Sequence, residues 1–281
     1  MLLQALLMLI VGVVAGFAGA ILGLGGGIIV TPVLTLVMGM DIKYAIGASI
    51  IAVIATSSGA TIAFLKDDVL NIRVAMLLEI FTTIGALTGA ILAGIFNATV
   101  LFLLFGCLLV FQSWNMYRKL RGTASEVPST AHDPLAAKLR LNSSYYDKQL
   151  KQQVDYQVEK IPGGALIMFG AGLASGLLGI GSGSFKVMAM DGMMKMPLKP
   201  SSSTSNLMMG VTATASATVY FFNGSINPVI AVPIALGILG GSTVGSRVMQ
   251  LLPARVLRMI FIPVLLIIGV QLILKGLGVN I

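Results

Sequence analysis

The chain has 281 residues, of which 57% are hydrophobic and 10% charged, with 33 glycines and a formal net charge of +8. Soluble domains carry about 25% charged residues, so this composition excludes a soluble globular protein and describes an integral membrane protein. The positive balance does not signal nucleic-acid binding, because Lys and Arg cluster in polar connections, where they set membrane orientation.

Apolar stretches run over about 2–40, 44–65, 74–96 and 99–117, and again over 162–190, 200–222, 228–250 and 255–275. About 20 apolar residues suffice to span a bilayer. The spacing predicts one membrane half over 1–117, a polar linker over 118–161 and a second half over 162–281. The first twenty residues could pass for a signal peptide with Ala18-Gly19-Ala20 as its cleavage site, but they lack a basic start and read as part of the first half. Cys107 reads as a small packing residue in an apolar helix. As the lone cysteine it excludes an intrachain disulfide and a cysteine metal cluster. In the linker, Gly122 to Thr130 reads as disordered. Tyr145 to Lys160 reads as an amphipathic helix with Asp147 and Lys151 at i,i+4 spacing. The single histidine, His132, reads as a solvated linker residue.

The two halves are copies of one unit at an offset of 156 residues. Gly16, Gly23 and Gly25 fall on Gly172, Gly179 and Gly181, Lys43 on Lys199, Ser49 on Ser205, Thr56 on Thr212, and Asn71 on Asn227. Interrupted hydrophobic segments at matching places in two halves point to a transporter site.

Residues 2–40 as one helix would measure about 60 Å at about 1.5 Å per residue, against a hydrocarbon core of about 30 Å. The glycine cluster must break it. Either a span precedes a short flanking helix, or a re-entrant hairpin dips in and returns with the glycines at its tip. Charge favours the second. With both broken segments re-entrant, each half crosses three times and the copies are inverted. Lys66, Arg73, the linker cations, Lys195, Lys199, Arg247, Arg255 and Arg258 then share one face, leaving Lys43 and Lys275 on the other. The positive-inside rule therefore predicts an all-α fold of inverted repeats, each a glycine-broken re-entrant hairpin plus three transmembrane helices. The linker would be cytoplasmic and both termini outside.

The glycine clusters define the expected site. Gly23, Gly25, Gly26 and Gly27 precede one apolar segment, and Gly179, Gly181, Ser182 and Gly183 precede its counterpart. A helix starting there would aim N–H groups and a positive dipole end at the cluster, which suits an anion. Close helix packing through small residues is the alternative. Lys186 lies in an apolar run where the first half has Val30. An ionisable residue in the membrane reads as functional, although snorkelling or pairing with Asp191 would also account for it. Glu79 is a second intramembrane charge, suited either to carrying a proton or to pairing with a cation. A polar stripe of Ser49, Thr56, Ser57 and Ser58, matched by Ser203, Thr204, Ser205, Asn206, Thr212 and Thr214, could line an anion path or bond between helices. The methionines Met188, Met190, Met193, Met194 and Met196 lack His or Cys companions and read as packing, with no metal.

At these residues the chain resembles the TauE/SafE sulfite exporter family, also called the sulfonate-uptake permeases. The likeness covers both halves and not the linker. It rests on Gly23-Leu24-Gly25-Gly26-Gly27 with Pro32, on Lys43-Tyr44-Ala45-Ile46-Gly47-Ala48-Ser49, and on Gly85-Ala86-Leu87-Thr88-Gly89-Ala90. In the second half it rests on Gly179-Ile180-Gly181-Ser182-Gly183, Lys186-Val187 and Thr204-Ser205-Asn206-Leu207-Met208-Met209-Gly210-Val211-Thr212-Ala213. Ser182 stands where the family usually has glycine, and Met188 where the first half has Pro32. The resemblance implies a transporter of sulfur-containing anions such as sulfite, thiosulfate or organosulfonates.

The expectation is a multi-pass secondary transporter of the cell membrane, working by alternating access and using no cofactor. Lys186 would supply charge, helix N-termini would supply N–H donors, and Glu79 or Asp191 would couple a proton. An anion channel and a non-transporting assembly protein acting through the linker are the rivals, and a homo-oligomer is compatible with all three. An enzyme is the least favoured reading, because one linker histidine and one cysteine leave no credible nucleophile–base pair.

Overall fold

The computed structural model describes residues 2–22, 25–66, 68–121, 133–147, 151–249 and 254–279. In the first half these form α1 (Leu2–Leu22), α2 (Gly27–Pro32) with a π-helical continuation at Val33–Val37, α3 (Ile42–Lys66), α4 (Ile72–Ile95) and α5 (Ala98–Arg121). The linker holds α6 (Pro134–Lys138) and the strands β1 (Ser143–Asp147) and β2 (Gln152–Tyr156). The second half comprises α7 (Ile161–Leu178), α8 (Gly183–Val187) with a π-helical continuation at Met188–Met193, α9 (Leu198–Phe222), α10 (Pro228–Met249) and α11 (Ala254–Gly276). The offset carries α3 onto α9 end to end, and the starts of α2, α4 and α5 onto those of α8, α10 and α11.

The protein is a helical membrane protein. Among the described residues, five helices are long and apolar enough to cross a bilayer: α3, α4, α5, α7 and α10. One of them, α7, lies in a stretch that the sequence assigned to a broken hairpin. By contrast α9, read as a span, has 25 residues but is crowded with Ser and Thr, whose polarity keeps it out of that set. Most of its polar side chains face inward: Ser201 to Asn206, Thr212 and Ser216 are all buried, while Thr214 and Thr218 are exposed.

Glycines set the helix pairs. A Cβ on Gly12 or Gly16 of α1 would strike Ile234 or Ile238 of α10, and Gly237, Gly241 and Gly245 of α10 press on Leu9, Val13 and Phe17 of α1. Contacts advance together along both chains, so α1 and α10 run parallel. The same holds for α4 and α7, where Gly172 meets Thr82 and Gly176 meets Ala86 and Ala90. Small residues let backbones approach closely, the usual means of helix association without a hydrophobic driving force. Helices α5 and α11 run antiparallel, with Gly276 against Phe102, Gly269 against Gly106 and Ser113 bonded to Ile262 O. So do α3 and α9, where Val53 and Met209 share neighbours and Ser57 Oγ donates to Asn206 O at 2.5 Å.

The linker departs from expectation. Tyr145 to Lys160 does not form an amphipathic helix. Ser143–Asp147 pairs antiparallel with Gln152–Tyr156. Burial alternates along β1, with Tyr145 and Asp147 inside and Tyr146 outside, which is the period of a strand. The Asp147 carboxylate sits on β1, not on a helix, and takes Lys199 Nζ of α9 at 2.8 Å. Residues 122–132, including His132, lie outside the described residues. The hairpin is built into the membrane body. Tyr145, Tyr156 and Val158 join Val74 and Leu78 of α4, Met168 of α7, and Met190, Met194, Met196 and Met208 in one buried cluster, which is the packing role expected for the methionines. Asn71 caps α4 by accepting from Val74 N at 3.1 Å, and its amide donates to Leu141 O at 2.8 Å and Tyr156 Oη at 3.1 Å. Burial raises the Tyr156 phenol above its ordinary pKa, against the lowering effect of the Asn71 hydrogen bond, so it stays protonated. Cys107 is exposed on α5, not buried as a packing residue.

Removing a cap and two buried hydrogen bonds costs about 1–3 kcal/mol. Asn71→Ala should therefore lower the thermal unfolding midpoint of the detergent-solubilised protein. An unchanged midpoint would mean that the linker and α4 do not unfold together.

Candidate functional site

Both glycine turns lie inside the bundle. In the first, Gly25 takes φ +76° and Gly26 N–H donates to Thr56 Oγ1 of α3 at 3.1 Å. In the second, Gly179, Gly181 and Ser182 take φ +65°, +71° and +47°. That left-handed region strains a side-chain-bearing residue such as Ser182. Ser49 Oγ of α3 donates to Gly179 O at 2.6 Å, and Ser205 Oγ of α9 donates to Gly183 O at 3.1 Å. Backbone broken inside an apolar body must find such partners.

The turns touch each other. A Cβ on Gly27 would lie 2.6 Å from Gly179 O. One on Gly25 would lie 3.3 Å from both Met209 Sδ and Val53 Cγ2, and one on Gly181 would lie 2.8 Å from Val53 Cγ1 and 3.1 Å from Met209 Sδ. Residues 156 apart, Gly25 with Gly181 and Val53 with Met209, thus pack around one point.

One helical turn past Gly183, Lys186 is completely buried. Its Nζ donates to Thr212 Oγ1 of α9 at 2.5 Å and lies 3.9 Å from Glu79 Oε2 of α4. The Thr212 hydroxyl donates to Glu79 Oε1 at 2.6 Å, with Met208 O an alternative acceptor at 2.8 Å. Thr83 Oγ1 also donates to Glu79 Oε1, at 3.1 Å, while Glu79 Oε2 receives no hydrogen bond. A buried cation without a counter-charge would cost several kcal/mol, and Glu79 supplies that counter-charge through and beside the Thr212 hydroxyl.

Of the residues that the sequence selected, Gly25, Gly26, Gly27, Gly179, Gly181, Ser182, Gly183, Ser49, Thr56 and Ser205 gather at the turns. Lys186, Thr212 and Glu79 form the adjacent charge cluster. Asn206 is buried, donating to Ser202 O at 3.1 Å, with its Oδ1 unpartnered; Ser182 Oγ is likewise buried without a hydrogen bond. Thr204 stands apart, since its hydroxyl accepts Asn71 N at 3.1 Å toward the linker. Asp191 is half-buried in the π-helical segment after α8. Gly23 lies outside the described residues. Sequence reasoning missed Thr82 and Thr83 around Glu79, which stand three and four residues along α4, one turn away. It also missed Tyr220, whose hydroxyl lies 2.9 Å from Gly176 O and 3.2 Å from Leu177 O, ahead of the second turn. The offset itself carries that signal, because Tyr220 falls on Phe64 and differs by one polar group. Among the described residues, no three His, Cys, Asp or Glu side chains are grouped to hold a metal.

A helical membrane body with paired broken helices and a buried charge cluster is the architecture of a transporter. The comparisons agree. The family described as Sulfite exporter TauE/SafE matches over residues 8–272. The chain is 26% identical over 277 residues to "Probable membrane transporter protein YunE" of Bacillus subtilis, covering 96% of this chain and 97% of that one. It is 24% identical over 284 residues to "Probable membrane transporter protein MJ0441" of Methanocaldococcus jannaschii, covering 95% of each. A "Probable membrane transporter protein" of Xylella fastidiosa is 28% identical over 236 residues, covering 84% of this chain and 81% of that one. No solved structure matches the chain. The chain belongs to the TauE/SafE sulfite exporter family and is a multi-pass membrane transporter of that type.

Thr212→Val removes the hydroxyl that joins Lys186 to Glu79. It should destabilise the protein by about 1–3 kcal/mol, the cost of stranding buried polar groups. The drop in unfolding midpoint should shrink when Thr212→Val is made in a Glu79→Gln background, because the two changes break one network.

Proposed function

We propose that the protein is a secondary transporter of a small sulfur-containing anion, such as sulfite, thiosulfate or an organosulfonate, working by alternating access around the touching glycine turns. The observation that carries this reading is the fully buried Lys186 beside those turns. The family's description as a sulfite exporter and the membrane-transporter names of the relatives supply the substrate class. Gly25 to Gly27 and Gly179 to Gly183, with Ser49, Thr56, Ser205, Asn206 and Thr212, form the surrounding wall. The unpartnered oxygens of Ser182 and Asn206 mark polar capacity there beyond what the fold uses; the Ser182 hydroxyl can donate to an anion.

The two halves are inverted repeats with re-entrant first segments. The helix directions support this. Because α3 and α9 are antiparallel while α1 follows α10 and α7 follows α4, each half runs opposite to its copy. Helix α10 of the second half also runs with α3 of the first, since Gly47 meets Ser225 and Gly59 meets Ser242. Hence α1 and α3 point the same way, and the chain must return through α2 to begin α3. The face bearing the linker also bears Arg73, Lys195, Lys199 and Arg247, which by the positive-inside rule makes it cytoplasmic in a plasma membrane.

Charge balance gives a coupling scheme. Lys186 needs one anionic partner in its dry setting. Glu79 fills that role when ionised. A bound anion can fill it only if Glu79 takes a proton, so anion and proton enter the site together. Alternating access then follows from rocking one half against the other about the turns.

Sulfite and thiosulfate flux should be measured in proteoliposomes with and without a pH gradient. Wild type should show saturable flux driven by the gradient. Lys186→Ala should reduce flux at least tenfold. Glu79→Gln should leave anion exchange while removing the response to the gradient. Flux that neither saturates nor responds to the gradient, with accompanying current, would mean a channel. No flux of any sulfur anion by folded protein would overturn the substrate reading.

A further inference from the structure

The second glycine turn is approached from the face opposite the linker by a cavity of about 470 Å³. Lys43, at the start of α3, stands in its wall with Gly94, Asn223 and Ser225, and Ile46 and Tyr220 also line it. Those last two residues are the partition between cavity and turn. The Tyr220 hydroxyl bonds Gly176 O and Leu177 O, and Ile46 lies so close to Gly179 that a Cβ there would sit 2.9 Å from Ile46 O. The cavity therefore ends one side chain short of the backbone at which the two turns meet.

Lys43 is half-buried, and among the described residues the one hydrogen-bond acceptor of its ammonium is Gly94 O, at the long distance of 3.5 Å. Two of the three ammonium protons are left for another ligand. The residue 156 further on, Lys199, opens α9 at the opposite face, because α3 and α9 are antiparallel. There a carboxylate occupies the lysine: Asp147 of the linker lies 2.8 Å from Lys199 Nζ and is itself 5% exposed. The protein thus shows, at one copy of this position, an oxyanion seated on the lysine. At the other copy it leaves a cavity.

We propose that the Lys43 cavity is an anion-recognition vestibule, a second site for the same oxyanions outside the central one, with Tyr220 and Ile46 as the gate between them. It rests on the transport reading for its cargo but not for its existence. Lys43 attracts the anion by charge, and Asn223 and Ser225 add donors at the rim. Tyr220 must release its two backbone carbonyls for passage. A single cation on an open site recruits without trapping, which suits a mouth better than a storage site.

The test uses the whole protein with Cys107→Ala and one new cysteine, Asn223→Cys, reconstituted in liposomes. A membrane-impermeant maleimide is added from the face opposite the linker, and methanesulfonate is the probe anion at constant ionic strength. Methanesulfonate should slow labelling at least threefold, and Lys43→Glu or Lys43→Gln should abolish that protection. A control cysteine at Leu277 should be labelled at the same rate throughout. Absence of protection, or protection that survives both Lys43 variants, overturns the vestibule. In parallel, Lys43→Gln should raise the KM for sulfite flux about tenfold with little change in maximal rate. Lysine-dependent protection in a protein that carries no sulfur anion would leave the vestibule standing and the transport reading fallen. Flux without lysine-dependent protection would do the reverse.

Discussion

A helix broken inside a membrane must find partners for the peptide groups that it frees, because hydrocarbon offers none. The rest of the structure follows from that constraint. The freed groups at Gly26, Gly179 and Gly183 are met by hydroxyls of Thr56, Ser49 and Ser205, which obliges α3 and α9 to be polar along one face. A polar face cannot look at lipid, so these two helices occupy the middle and the apolar α4, α5, α7 and α10 surround them. Close approach of the shell then depends on glycine, and α1 with α10 and α4 with α7 meet backbone to backbone.

Matched positions have diverged in chemistry while keeping their place. Thr56 and Thr212 are one position in two copies. Thr56 serves the backbone of a glycine turn, whereas Thr212 is turned to Lys186 and Glu79. Val30 in the first half is Lys186 in the second, and Gly26 is Ser182. The first turn keeps the purely structural solution. The second keeps its backbone partners in Ser49 and Ser205 and adds a charge that must be neutralised from another helix. The buried cation comes from the second copy and its counter-charge, Glu79 on α4, from the first, so the two copies meet in one ion pair.

Much of this was legible in the sequence because membrane burial leaves a coarse signal. The offset of 156 residues identified the element boundaries, and α3 and α9 coincide under it to the residue. The glycine turns, Lys186 and Glu79 stood out because each is costly in an apolar run. What the sequence could not give was which charges meet. Asp191 is nearer to Lys186 along the chain, but Glu79 reaches it from α4, a contact that depends on how α4 packs against α9. The linker was misread for a local reason. The Asp147 and Lys151 spacing fits a helix, yet Tyr145, Asp147, Val154 and Tyr156 alternate, and the β-prone Tyr and Val among them pack on one face of a hairpin. Thr204 was assigned to the site by its neighbours in the stripe, although it sits one turn too near the linker and binds Asn71.

The linker is also where the two faces of the molecule cease to be equivalent. It has no counterpart in the repeat, and it contacts the elements that hold the charge cluster: α4 through Asn71, the segment after α8 through Glu159 N and Met194 O, and α9 through Lys199. Movement of α4 or α9 at that face must break the Asp147–Lys199 pair and the Tyr156–Asn71 bond or carry the hairpin along. Among the described residues no such module sits over Lys43 at the opposite face, where Tyr220 ties the end of α9 to the second turn. A fold built from two copies would open equally readily to both sides if nothing else acted on it. An added module that binds one end shifts that balance by the free energy of its own contacts.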